Sequence, residues 1–286
     1  MAPDRLGETL EELALKLRPS GVQLIIGGGY GLVLRGRLIA IDGRWPRYGL
    51  DHRFRSTDDL DCFLGADVIT EPSKTETIAT ALRELGFNAV EPHWIFQKSF
   101  SETETVKIDL LAASVPPDMA HLVRQDTRRI RPRSSHGLHA RSTPEAITVH
   151  QNTTVVVVSA NGSGATVLVP HPLSFVLMKL FAFRDRVEKP DDDFGAYHAF
   201  DILMVLSTIS AAEWDQALEM VNDDAVANIL DDARRIVEDL FGSPTAIGMI
   251  RLVSYAKDRQ ATRISPEAQA EFRRDLHEIF GLHPPS

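Results

Sequence analysis

The stretch RSTDDLDCFL, Arg55 to Leu64, sets three aspartates, Asp58, Asp59 and Asp61, at the mouth of an apolar run suited to a protein interior. Side chains two apart on a strand share a face, about 6.5 to 7 Å from one another. Asp59 and Asp61 therefore point one way, and Asp58, Leu60 and Cys62 the other. Two carboxylates held side by side repel unless a cation sits between them. Oxygen donors of this kind suit Mg²⁺ or Mn²⁺. The competing reading is a solvated strand end, which an isolated Asp-x-Asp fits equally well.

Working outward, VQLII (22 to 26) reads as a buried strand that meets GGGYG, after which YGLVLRGR reads as a helix. Residues 38 to 54 mix Gly, Pro, Arg and aromatics without a period and read as a loop or insertion. Residues 5 to 18 form an amphipathic helix ended by Pro19, and a second helix is expected near 73 to 85. HWIFQKS and TVKIDLLA read as strands joined through FSETE. The Arg-rich segment 124 to 141 reads as irregular, and TTVVVVSANGSGATVLVP as a β-hairpin. From Pro172 onward LSFVLMKLFAFRDR, AYHAFDILMVL, AAEWDQALEMV, AVANILDDARRIVEDLF and PEAQAEFRRDLHEIF carry helical periodicity. The expected fold is α+β, a domain with a mixed sheet at 1 to 170 followed by a helical domain at 171 to 286.

Forty acidic residues against 31 Lys and Arg give a formal charge of -9, so attraction to nucleic acid must be local rather than global. Cys62 is the only cysteine, which excludes an internal disulfide and suits a reducing compartment. No stretch approaches the roughly 18 apolar residues of a membrane span. A cytoplasmic protein with no membrane partner is expected.

Three further features bear on chemistry. Gly27, Gly28 and Gly29 lie between a strand and a helix, where bare backbone and a helix N-terminus can take a phosphate, or where a tight turn needs positive φ. Asp109 interrupts an apolar strand and must be paired, solvated or metal-bound, with Lys107 on the same face as a candidate partner. Lys179 sits in FVLMKLFAF, where its ammonium either snorkels to solvent or meets an anion. Arg124, Arg128, Arg129, Arg131, Arg133 and Arg141 form a basic patch that suits a phosphate backbone, a solvated loop or an acidic partner. Arg35, Arg37, Arg44, Arg47, Arg53 and Arg55 form a second cluster, where Trp45 and Tyr48 either stack a base or pack in the core. A Gly turn before a helix, an Asp-x-Asp strand and a later Asp are together the parts of a metal-dependent nucleotidyl transfer site.

In the order GGGYGLVLRGR, RSTDDLD, VKIDLLA, HPLSFVLMKLFAFRDR and HAFDILMVL, the chain resembles the polymerase β-like nucleotidyltransferases, and among them the AbiEii family with its MenT-type toxins. The resemblance implies transfer of a nucleoside monophosphate from a nucleoside triphosphate to an acceptor hydroxyl. It further implies an RNA acceptor, a tRNA 3′ end, and a toxin paired with a cognate antitoxin. Asp59, Asp61 and Asp109 are implied as metal ligands, with Asp109 alternatively the base. Gly27 and Gly28 are implied phosphate contacts, Lys179 a triphosphate contact, and Asp201 the acid that orients Lys179. Thr57 matches a nucleotide-site Ser or Thr that in some members is phosphorylated. The chain departs from the family pattern at Gly29 and Tyr30, where many members carry Ser, and at Tyr197 and His198 in place of an Arg-Asp pair. Three alternatives stay open: a transferase for a small molecule of the aminoglycoside kind, a nucleotide-binding regulator without catalysis, and a protein-modifying transferase.

Overall fold

A computed structural model describes residues 4 to 50, 54 to 55, 57 to 90, 93 to 133, 138 to 160 and 162 to 283. The chain divides into two units, one comprising 1 to 35 and 56 to 170, the other 36 to 55 and 171 to 286.

In the first unit α1 (Arg5–Leu17) begins where the Asp4 side chain accepts from the Gly7 amide, and gives way to a 3-10 turn at Pro19. The strands are β1 (Ile25–Ile26), β2 (Asp59–Phe63), β3 (Asn88–Val90), β4 (Ile95–Ser99), β5 (Thr105–Ala112), β6 (Val123–Gln125), β7 (Arg129–Pro132), β8 (Ala140–Ser142), β9 (Thr154–Val158) and β10 (Ala165–Val169). They join in one mixed sheet of order β6-β7-β8-β5-β2-β1-β10-β9, with β4 also on β5 and β3 on β4. β2 runs parallel to β5, β5 to β8 and β1 to β10, while the other pairs are antiparallel. Helix α2 (Gly28–Ile41) follows β1, and α3 (Ala66–Ile69) and α4 (Pro72–Glu84) follow β2. Leu60, Cys62, Ile108 and Leu110 are fully buried, as are Leu10, Leu13 and Leu17 of α1 and Ile78 and Leu82 of α4. α1 packs on β2, β10 and α4.

The second unit contains α5 (Pro172–Arg184), α6 (Ala196–Ser207), α7 (Ala211–Met220), α8 (Ala227–Phe241), α9 (Ile247–Gln260) and α10 (Pro266–Ile279). α5 packs on α6 and α8, and α6 on α9 and α10. The apolar residues of α5 and α6 surround nearly the whole helix, as a central position demands.

Several expectations need correction. VQLII forms only the two-residue β1. The segment 124 to 141, expected to be irregular, contributes β7 and parts of β6 and β8, because Val123, Ile130, Pro132 and Ala140 bury between the arginines. Residues 38 to 54 hold the end of α2 and a 3-10 turn at Arg47–Gly49, with 51 to 53 outside the described residues. That turn groups with the helical unit because Tyr48 meets Phe272 edge-on at 6.3 Å and donates to Asp275, while Arg47 bridges Asp275 at 2.6 Å. Helix α9 was not expected, although Met249, Leu252 and Ala256 carry its buried face at helical spacing.

Candidate active site

The carboxylates are placed by strand register. Asp61 is the Cα partner of Asp109 across the parallel pair β2 and β5, and Asp59 is the partner of Lys107. Partners across a sheet share a face, so Asp59, Asp61 and Asp109 lie together on one side, while Leu60 and Cys62 fill the core on the other. Asp58, exposed ahead of the strand, has no place in this group.

The glycine turn is fitted to this face. The Gly27 amide donates to the Asp61 carbonyl at 2.9 Å, and the Gly27 carbonyl accepts from Gly31 at 2.8 Å as α2 begins. Gly28 has φ +56°, and a Cβ there would overlap the Asp61 carboxylate. A Cβ on Gly29 would come within 2.7 Å of the Thr57 Cβ, and one on Gly27 would overlap the Phe63 ring. The turn reading and the site reading thus coincide: the missing side chains leave room for the acidic strand.

Asp109 is buried, and Lys107 Nζ lies 3.2 Å from its carboxylate. Burial raises the Asp109 pKa above the ordinary carboxylate range, Lys107 opposes that rise, Asp59 adds to it and Arg141 opposes it. The Thr57 hydroxyl donates to Asp59. Among the described residues no three His, Cys, Asp or Glu side chains are gathered as a ready metal cluster. The donor chemistry and shared face of Asp59, Asp61 and Asp109 nevertheless fit a hard divalent cation, with Lys107 and the Thr57 hydroxyl as the groups now holding two of them. The Cys62 thiol is pushed far up by burial, with the charges of Asp61 and Asp109 adding, and has no thiolate character to offer.

In the second unit Lys179 does not snorkel. It is 5% exposed, and its Nζ donates to Asp201 Oδ2 at 2.6 Å. Arg55 Nε also donates to both Asp201 oxygens at 3.3 Å, and its guanidinium lies 4.7 Å from the Tyr197 ring centroid. Asp201, itself 1% exposed, is shared by two cations. Arg55 entered the sequence reading only as part of a basic cluster, yet it is the second cation on Asp201. His198 is buried beside this trio, and its pKa is driven well below the ordinary imidazole value by burial, then by Lys179, Arg186 and Arg55.

The basic cluster of 35 to 55 does not stand as a free cationic surface. Arg44 bridges Glu213 at 2.8 Å, Arg47 bridges Glu271 and Asp275, Arg55 is taken by Asp201, and Arg35 is buried. Arg53 lies outside the described residues. Trp45 is 86% exposed, whereas Tyr48 is locked against Phe272 and Asp275 and is not free to stack a base.

The sequence-expected residues thus fall into two sets. Gly27, Gly28, Thr57, Asp59, Asp61 and Asp109 meet in the first unit, and Lys179 and Asp201 pair in the second.

No protein-family model and no curated protein matches the chain. Among solved structures the chain is similar to a crystal structure of ANT(2″)-Ia in complex with adenylyl-2″-tobramycin, at 12% identity and a TM-score of 0.38, over 73% of this chain and 92% of that one. It is also similar to a solution structure of the antibiotic-resistance factor ANT(2″)-Ia, at 13% identity and a TM-score of 0.38, over 81% and 98% of the two chains. A likeness this distant carries no weight beside the register and contacts described above.

Proposed function

We propose that the chain is a divalent-cation-dependent nucleotidyltransferase that moves a nucleoside monophosphate from a nucleoside triphosphate to an acceptor hydroxyl. The observation that carries this reading is the register of Asp61 with Asp109, with Asp59 on the same face and a side-chain-free turn at Gly28 against Asp61. Asp59, Asp61 and Asp109 would hold the cation, which supplies charge neutralisation at the α-phosphate and the attacking oxygen. The backbone of Gly27 to Gly29 contacts the phosphates at the start of α2. The acceptor oxygen bonds to the α-phosphorus, the bond to the β-phosphate oxygen breaks, and pyrophosphate leaves. Asp109 is alternatively the base that takes the acceptor proton. Lys179, held by Asp201 in the second unit, is proposed as a cation for an anionic substrate group.

RNA is the proposed acceptor, a tRNA 3′ end, and growth arrest relieved by a cognate antitoxin is the proposed biology. An acceptor of the aminoglycoside kind is the second reading; the ANT(2″)-Ia crystal structure holds adenylyl-2″-tobramycin. The protein is incubated with Mg²⁺, each labelled nucleoside triphosphate in turn, and either total RNA or tobramycin. Label entering tRNA, and lost in Asp61→Ala, is the expected result. Label entering tobramycin alone moves the assignment to the second reading. Nucleotide bound with label entering neither acceptor identifies a regulator and overturns the proposal.

A further inference from the structure

The strands β6, β7 and β8 build an arrangement that the linear sequence conceals. Arg124 is the register partner of Arg131, and Arg129 the partner of Arg141. Arg129 and Arg131 are two apart on β7, so all four project from one face, roughly 5 Å apart between strands and 7 Å along one. That face can be followed to the carboxylates: Arg141 is the partner of Leu111, which stands two residues from Asp109 on β5. The arginines and the acidic trio therefore lie on the same side of one sheet within one unit. Arg141 is near enough to lower the Asp109 pKa against the effect of burial.

Like charges directly opposite one another on a sheet are destabilising. Asp126 takes Arg129 at 2.9 Å, but among the described residues no ion pair holds Arg124, Arg131 or Arg141. Arg124, Arg129 and Arg141 are exposed and Arg131 half-buried, with Arg128 and Arg133 exposed on the flanks. Charged residues also guard edge strands against pairing with other chains. That role calls for charge on the terminal strand β6, and does not explain Arg129 and Arg131 on β7 or Arg141 on β8, which are interior strands. A chain of net charge -9 that concentrates arginines here, with one acid among them, keeps a surface whose repulsion a polyanion would relieve.

We propose that Arg124, Arg129, Arg131 and Arg141 form a phosphodiester-backbone site that holds a single-stranded RNA and leads its end toward Asp109. The surface deepens the transfer reaction proposed above and rests on it for the meaning of that end as the acceptor. Guanidinium groups suit the site because their planar forks engage phosphate oxygens in pairs. The contacts are sequence-independent, so any selection of one RNA lies elsewhere.

The test is binding of a labelled mixed-sequence oligoribonucleotide without nucleoside triphosphate, measured from low to moderate KCl. Each neutralised phosphate on a single strand contributes about 0.7 to the slope of log K against log salt. The wild type is expected to show a slope of about -2 to -3, and Arg124→Gln/Arg131→Gln one shallower by about 1.4 with weaker binding. Arg124→Lys/Arg131→Lys, which keeps the charge, should keep the slope. The Gln variant should unfold at or above the wild-type temperature, since it relieves a like-charge pair.

An unchanged slope in the Gln variant, or an equal loss in the Lys variant, overturns the site. So does competition by polyglutamate as strong as that by RNA of equal charge, which would make the surface a dock for acidic protein. The two proposals separate cleanly. Transfer to RNA with an unchanged slope sinks the surface and keeps the reaction, whereas arginine-dependent RNA binding with no label transferred keeps the surface and sinks the reaction.

Discussion

Gly28 ties the backbone of one element to the carboxylate of another. Its φ of +56° lies in the left-handed region, where an L side chain costs about 1 to 2 kcal/mol, and its missing Cβ is the space that the Asp61 carboxylate occupies. Gly28→Ala is therefore expected to lower stability by at least that amount, since the overlap with Asp61 adds to the backbone strain. Its larger effect should be on transfer, because Asp61 must move and a small misplacement of a reacting group costs on the order of a hundredfold. Label transfer and thermal unfolding, measured on the same preparation, decide the matter; near-normal transfer would show that Asp61 is not placed by this contact. The sequence signalled Gly28 only as part of a glycine run. What distinguishes it from Gly29 is its neighbour, more than thirty positions along the chain, and that neighbour is fixed by pairing between strands.

Among the elements, α5 and α6 show how a buried charge is tolerated. Asp201 holds Lys179 at 2.6 Å and Arg55 at 3.3 Å, so the two possible deletions are unequal. Asp201→Ala leaves two cations without their carboxylate, and is expected to cost about 3 to 5 kcal/mol. Lys179→Met leaves Asp201 still paired with Arg55, and should cost markedly less. Urea unfolding of the two variants tests the ranking, and equal losses would refute the shared carboxylate. The positions of Lys179 and Asp201 were legible because a charge inside an apolar helix needs a reason. Arg55 was not, because it lies beside the aspartate strand in sequence while its side chain turns to α6. The six-arginine segment was misread as irregular for a related reason: alternation of Val123, Ile130, Pro132 and Ala140 with arginine is too short to count as a strand pattern until neighbouring strands supply partners.

For the molecule as a whole, pH acts through buried groups more than through the net charge of -9. His198, surrounded by Lys179, Arg186 and Arg55 and without a hydrogen bond to either ring nitrogen among the described residues, stays neutral where an unfolded chain would take up a proton. The unfolded state then binds more protons than the folded one, so stability falls as pH drops below the free imidazole value of about 6.5. His277, also depressed by burial, acts in the same sense, and Asp109, with its raised pKa, in the opposite one. The unfolding temperature is expected to fall between pH 7 and pH 5, and to fall less in His198→Leu. A decline as steep in the variant as in the wild type would remove His198 from the account.

By itself the sequence determined the long amphipathic helices, the hairpin, the aspartate strand and the residues with chemistry to offer. Those signals are local: a helix or strand shows its buried face through its own period, and an acid in an apolar run marks itself. Only the tertiary structure decided that Asp61 stands beside Asp109, that Gly28 yields its side-chain space to Asp61, that Arg55 shares Asp201, that Tyr48 is held by Phe272 and Asp275 and that four arginines line the carboxylate face. Each of those facts is a pairing between residues distant in the chain. Register and packing set such pairings through the burial of many other side chains at once, so no single stretch contains them.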